Sequence, residues 1–325
     1  MKRSTLCVAV LIVFCCWIGV RPCRAALIVV SDATSGVLYI DTDTGAQTLL
    51  SSGGMFLEPT DVLFSVQMNE VLVLDTGIGQ PGILFGVDPI TGAQHIISQG
   101  GFLTDPRAMD FDTDGSILVG DGAAFDGHGA IIRIDLSTGV QTLVSSEGSF
   151  IEPNGVVAGA SGDIFAIDRG PVDSDGRIFQ IDPTSGSQTL LSQGGLLINP
   201  RAGVIRPHGQ LLVVDTGIEG GIGPGALIAV ELANGSQSTF SVGGLFENPT
   251  SVRMGFGTEL LVADLAAGII GVDSVTGTQR LISSGGLLVK PTGAATVIPE
   301  PSSLIVWSFI ALSFAGIARL RRKTE

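Results

Sequence analysis

Asp110-Phe111-Asp112-Thr113-Asp114-Gly115, with Asp121 at the twelfth place, carries the front and the end of an EF-hand calcium loop. Carboxylates at alternate positions can converge on one hard cation while the glycine permits the tight turn. Asp173-Ser174-Asp175-Gly176 is a shorter version. Both are flanked by apolar runs of strand length and not by helices, which favours solvated turns; Ca2+ is the one cofactor any motif suggests. Gly77-Ile78-Gly79-Gln80-Pro81-Gly82 has the spacing of a dinucleotide fingerprint. No helical pattern follows it, so no helix N-terminus is there to hold a pyrophosphate. His95, His128 and His208 fall in three different kinds of segment, and the chain has no G-x-S-x-G elbow. All four cysteines, Cys7, Cys15, Cys16 and Cys23, lie in a leader that export would remove. No catalytic residue is assigned, and the balance falls on a protein that is not an enzyme.

What must position any site is a repeat. An apolar run ends in aspartate at Asp32, Asp75, Asp121, Asp168, Asp215 and Asp264, spaced 43, 46, 47, 47 and 49 residues. A second run closes on Asp41, Asp88, Asp135, Asp182, Glu231 and Asp273, and six residues later comes Gln47, Gln94, Gln141, Gln188, Gln237 or Gln279. A proline then follows a Gly-rich link, at Pro59, Pro106, Pro153, Pro200, Pro249 and Pro291. A period in the forties with four short Val/Ile/Leu runs per unit is one propeller blade. Calling the runs A to D from the proline onward, the core opens with a B strand at Leu27 to Asp32 and closes with an A strand at Thr292 to Val297. The expected fold is therefore all-β: a six-bladed propeller with four antiparallel strands per blade over residues 26–297. Its last A strand closes the blade begun by the N-terminal strands, which removes the exposed edges of an open array.

These repeats resemble the NHL-type and gluconolactonase-like six-bladed propellers, whose strand B commonly ends in aspartate and whose strand A follows a start like Pro153-Asn154-Gly155-Val156. With antiparallel neighbours, the B-to-C and D-to-A loops share one face of the ring. That face collects the end-of-strand aspartates, among them Asp75, Asp168 and Asp215, and the residues after the prolines: Thr60, Arg107, Asn154, Arg201, Thr250 and Thr292. An aspartate repeated in every blade is expected to cap its own turn. Residues that break the pattern, Arg107, Asn154 and Arg201, are the better ligand-face candidates. The gluconolactonase resemblance implies a divalent metal over the channel, held by a glutamate and by asparagine and aspartate residues after such prolines. Only Asn154 matches, and Pro106-Arg107 and Pro200-Arg201-Ala202 put cations where ligands would stand.

The two ends address the chain. Lys2 and Arg3 precede an apolar run from Leu6 to Val20, and Cys23-Arg24-Ala25 offers a peptidase site, so residues 1–25 are expected to be a signal peptide cut after Ala25. At the other end Pro299-Glu300-Pro301 leads into apolar Leu304 to Ala318 and then Arg319, Arg321, Arg322 and Lys323. Residues 298–325 resemble a PEP-CTERM sorting tail. That resemblance implies recognition by an exosortase, an exopolysaccharide context, and a precursor held transiently in the inner membrane by its transmembrane segment. Fifteen apolar residues at 1.5 Å each reach about 22 Å, short of a hydrocarbon core of ~30 Å. Between residues 26 and 298 stand nine basic and 29 acidic residues, a net charge of −20. A body so acidic repels nucleic-acid phosphates, which excludes nucleic acid as the expected partner. The expected protein is an exported surface or extracellular-matrix module for binding or adhesion, with signal peptidase and exosortase as processing partners and a polysaccharide or envelope protein as its target. The alternative is an extracellular calcium-dependent hydrolase or lyase of the gluconolactonase-like type.

Overall fold

Strands B and C of each repeat read as near-continuous Val/Ile/Leu runs because both faces of every sheet are covered by neighbouring sheets, so no polar face is needed. The computed structural model describes residues 26–297 apart from 172–174, 208 and 218–223. It forms six four-stranded antiparallel sheets. Strand A of blades 2 to 6 spans Pro59–Ser65, Pro106–Phe111, Pro153–Ala158, Pro200–Ile205 and Pro249–Met254. Each A strand packs against the A strands of both neighbouring blades, so the six line a central channel. Strand B is almost wholly buried, whereas strand D, on the outer rim, has exposed Leu49, Ile96, Leu143, Leu190 and Leu281. The expected leader with Ala25, the expected tail with Pro299, Glu300 and Pro301, His208, and Asp173-Ser174 lie outside the described residues.

Blade 1 joins the two ends of the ring. Its sheet runs Pro291–Thr296, Leu27–Asp32, Gly36–Asp41, Gln47–Ser51. Ile28 pairs with Thr296, Val29 with Ala295 and Val30 with Ala294, and the Val297 amide donates to the Leu27 carbonyl at 3.0 Å. This is the closure the strand count requires.

The recurring glutamine holds adjacent blades together. Gln141, first residue of its D strand, donates to Ser98 Oγ (3.0 Å) and the Gly100 carbonyl (2.9 Å) of the preceding blade and accepts the Phe102 amide at 2.7 Å. Gln94, Gln188, Gln237 and Gln279 repeat the arrangement, and Gln47 makes it to Ser283, Gly285 and Leu287, completing the circle. The approach explains one link glycine: at Gly101 φ is +62°, and a Cβ there would sit 2.7 Å from Gln141 Oε1.

One element departs from the all-strand expectation. Ala124–Gly127, in the B-to-C loop of blade 3, makes a single helical turn. Asp121 Oδ1 accepts from the amide of Ala124, the first residue of the turn, and from that of Ala123 just before it, and the Phe125 ring stacks on Phe102 at 5.4 Å. Four residues are too few to leave a periodic signature in the sequence.

Candidate functional site

The residue after each proline is placed by a β-bulge. In blade 3 Pro106 pairs with Asp121 and Ala108 with Gly120, leaving Arg107 out of the ladder. The same shift skips Thr60, Asn154, Thr250 and Thr292, and in blade 5 it falls between Pro200 and Gly203, at Arg201 and Ala202. Proline lacks an amide to donate, so it starts a strand well, and the bulge re-aims the side chain that follows. All six post-proline residues thereby line one cavity of about 550 Å³ over the channel, floored by Asp61, Ala108, Ala202 and Ser251. The sequence grouped these positions on one face, and the structure brings them into one depression.

Beneath them the strand-B aspartates act as clamps. Asp168 accepts the Ile151 (2.8 Å) and Glu152 amides of the D-to-A link and the Gly170 amide of its own B-to-C turn. Asp75 does the same with Leu57, Glu58 and Gly77, and Asp215 with Ile198, Asn199 and Gly217. Burial pushes the Asp121, Asp168 and Asp215 carboxyls above the ordinary value, against the pull of these donors. Asp75, Asp168 and Asp215 are thus fully engaged by backbone and are not among the cavity-lining residues.

The mouth is not six-fold. In blades 6, 1 and 2 the post-proline hydroxyl bonds to the next A strand: Thr250 to the Thr292 carbonyl (3.4 Å), Thr292 to the Pro59 carbonyl (2.9 Å), Thr60 to the Pro106 carbonyl (3.1 Å). In blades 3, 4 and 5 that position is Arg107, Asn154 and Arg201, and it makes no such staple. Arg107 pairs with Asp105 at 2.7 Å, and Arg169 with Glu152 at 2.9 Å. Burial, with Arg169 and Arg107 nearby, holds the Arg201 guanidinium below its ordinary pKa. One arc of the rim therefore fastens the ring, and the opposite arc presents polar groups to the cavity.

The channel below is plugged. Arg253, on strand A of blade 6, reaches across to Asp61 of blade 2 at 2.5 Å, to the Met109 carbonyl of blade 3, and lies 3.6 Å from Asp110. Asp61 also accepts the Met109 amide (2.9 Å), and Asp110 the Ala158 amide (3.0 Å), so the plug binds strands of four blades. Burial pushes both carboxyls up, with Arg253 opposing. Beyond the plug a cavity of about 260 Å³ opens at the other face. The sequence reading missed this group, although a signal is present. The second residue after the proline is Ala108, Gly155, Ala202, Ser251 or Gly293 elsewhere but Asp61 here, and the fourth is Leu63, Val157, Val204 or Ala295 elsewhere but Asp110 and Arg253 here. Charges in small and apolar registers mark it.

Asp110, Asp112, Asp114 and Asp121 do not come together. Asp110 pairs across the ladder with Leu118 and Asp121 with Pro106, at opposite ends of the strand pair. Asp112 is held by Arg133 at 2.5 Å, and Asp114 caps Ser116. Among the described residues no three His, Cys, Asp or Glu side chains are grouped to hold a metal ion. The metal that a gluconolactonase-like propeller implies is not matched by the residues at this mouth: Asn154 is flanked by Arg107 and Arg201, whose charge repels a cation. Gly77 to Gly82 forms a B-to-C loop that runs into strand Ile83–Val87. His95 stands on a D strand, 3.7 Å from Glu70, and His128 follows the helical turn.

Solved structures share this architecture. A chain of a nidogen/laminin complex superposes with a TM-score of 0.68 at 14% identity, covering 84% of this chain and 98% of that one. The periplasmic gluconolactonase of Pseudomonas aeruginosa gives 0.55 at 16% identity over 84% and 99%. A gluconolactonase of Xanthomonas campestris gives 0.58 at 14% identity over 81% and 86%. No family model and no curated protein matches the sequence. At such identities the likeness is one of fold: the chain is a six-bladed β-propeller whose neighbours in shape include gluconolactonases.

Proposed function

We propose that this chain is an exported envelope or matrix protein whose propeller binds a ligand at the mouth rimmed by the residues after the prolines. The observation that carries the reading is the broken symmetry of that rim. Three threonines staple neighbouring blades, whereas Arg107, Asn154 and Arg201 occupy the same bulge and leave the staple unmade, facing a cavity of about 550 Å³. That volume lies in the range of small-molecule sites, ~300–1,000 Å³. Export and sorting rest on the leader before Ala25 and on the likeness of residues 298–325 to a PEP-CTERM tail, with signal peptidase and exosortase as processing partners and transient membrane attachment before release to the envelope. The exopolysaccharide context of such tails favours a polysaccharide or envelope protein as target.

The fold neighbours include a member of a binding complex as well as gluconolactonases, so shape alone does not choose. A lactonase reading would use Asn154 and calcium, and the arginines beside Asn154 weigh against it. The experiment uses the full-length chain and extracellular polysaccharide from the producing cells. Retention on that polysaccharide is expected to fall at least tenfold in the triple variant Arg107→Ala, Asn154→Ala, Arg201→Ala, with the melting temperature kept. Millimolar calcium is expected to leave the wild-type melting temperature unchanged. Undiminished retention in the variant would refute the mouth as binding site, and a calcium-dependent rise lost in Asn154→Ala would replace binding with the metal-dependent reading.

A further inference from the structure

Two polar groups at the mouth lack the partners their chemistry requires. Arg201 lines the cavity with its Nε buried and unbonded, and none of its N–H groups meets an acceptor among the described residues. A guanidinium carries five donors and no acceptor, so one left half-buried without a hydrogen-bonded partner stores an unmet interaction. Burial and the neighbouring Arg169 and Arg107 work against its charge and outweigh the pull of Glu152 and Asp215, neither of which bonds to it. An anion bonded to it would offset the two like charges and compensate the lost hydration.

Asn154 supplies the second requirement. The side chain is 2% exposed and lines the same cavity from the adjacent A strand. Its Nδ2 faces Glu152 Oε1 at 3.5 Å, and because a carboxylate only accepts, that contact fixes which way the amide points. Oδ1 is then a buried acceptor with no donor. A buried acceptor left unpaired is destabilising, and a ligand hydroxyl would supply the missing donor.

Building on the mouth as the binding site, we infer that its ligand is a hydroxylated carboxylate, an acidic sugar residue of the uronic kind, with the carboxylate on Arg201 and a hydroxyl donating to Asn154 Oδ1. A divalent cation fails at Arg201. A neutral sugar leaves the guanidinium without an ion partner in contact, and sulfate, with no hydrogen to donate, leaves Oδ1 unpaired. The planar fork of arginine suits a carboxylate in two-point contact. A free acid and a residue within an acidic polymer present the same groups, and the assay separates them.

The test titrates the full-length chain calorimetrically with D-glucuronate, D-glucose, sulfate and a polyglucuronate. D-Glucuronate is expected to bind at least tenfold more tightly than either D-glucose or sulfate. Arg201→Gln should remove the advantage over glucose, and Asn154→Ala the advantage over sulfate, with melting temperatures near wild type. Arg201→Lys, which keeps the charge without the fork, guards against a folding defect and should retain part of the preference. Binding of the polymer alone, lost in the same variants, places the acidic residue within a chain and upholds the inference. Equal binding of glucose and glucuronate, insensitive to Arg201→Gln but lost in the triple mouth variant, overturns the carboxylate while the mouth remains a site. Sulfate binding as tightly as glucuronate overturns it as a general anion site. Ligands bound equally by the wild type and the triple variant overturn both readings.

Discussion

Charge buried in a propeller channel is expensive unless it is paired, and Arg253 shows how this chain manages it. The guanidinium side chain is 13% exposed and Asp61 2% exposed, yet each has a partner of opposite sign and a backbone group besides. Removing one partner of a buried ion group costs about 3–5 kcal/mol, because the remaining charge has lost its compensation. Arg253→Met is expected to destabilise the chain by about that amount in urea denaturation near pH 7, and Arg253→Met with Asp61→Asn and Asp110→Asn to recover much of it. The pH dependence has a definite sign. Burial raises the folded pKa of both carboxyls above the ordinary 3.8, and without Arg253 they rise further. The folded variant then binds protons more readily than the unfolded chain, so its deficit is largest at neutral pH and shrinks as pH falls toward 4. A deficit constant from pH 7 to pH 4.5 would contradict the plug as an ion group. The sequence displays Asp61, Asp110 and Arg253 as misfits in their registers, but not their meeting, because Asp61 and Arg253 are 192 positions apart and join only when the ring closes. Arg107, Asn154 and Arg201 were legible for the opposite reason: the repeat itself fixes where a post-proline residue stands, so a change of type is a change at a known place.

The device of each element is an exchange of partners with the next. Asp121 ties the link before Pro106 to the turn after its own strand, the proline opens a bulge, and Gln141 ties the outer strand to the previous blade. The aspartate's role was half legible. An Asx-type cap of the B-to-C turn follows from its type and position, but the second set of donors, from the D-to-A link, comes from a segment 16 or 17 residues earlier that only the folded blade brings near. The glutamine was legible as a repeat without a role, since its partners belong to another blade. Gln141→Ala removes two donated bonds and strands the Phe102 amide, for an expected loss of about 1–3 kcal/mol. It should appear in urea as a lower midpoint at unchanged slope. An unaltered midpoint would show the bonds to be incidental. The helical turn Ala124–Gly127 was not legible, because a single turn held by Asp121 and one aromatic contact has no period to read.

At the scale of the molecule, everything placed at the mouth depends on the ring being closed. Six inner strands can converge on one cavity only if Pro291–Thr296 occupies the position between blades 6 and 2, where Thr292 staples to Pro59 and accepts from Thr250. Closure was legible from the order of strand types alone, since a chain that opens on B and ends on A has one blade to complete. The curvature that makes six blades meet was not written in any one repeat. The direct measurement is a covalent test of the seam. Val30 and Ala294 are cross-strand partners, and antiparallel partners lie within the reach of a disulfide. In the full-length chain with its four leader cysteines replaced, Val30→Cys with Ala294→Cys is expected to form an intramolecular disulfide in most molecules on mild oxidation, read by thiol titration and non-reducing electrophoresis. Two free thiols, or only intermolecular links, in a chain that keeps its native circular-dichroism spectrum would contradict the closed ring.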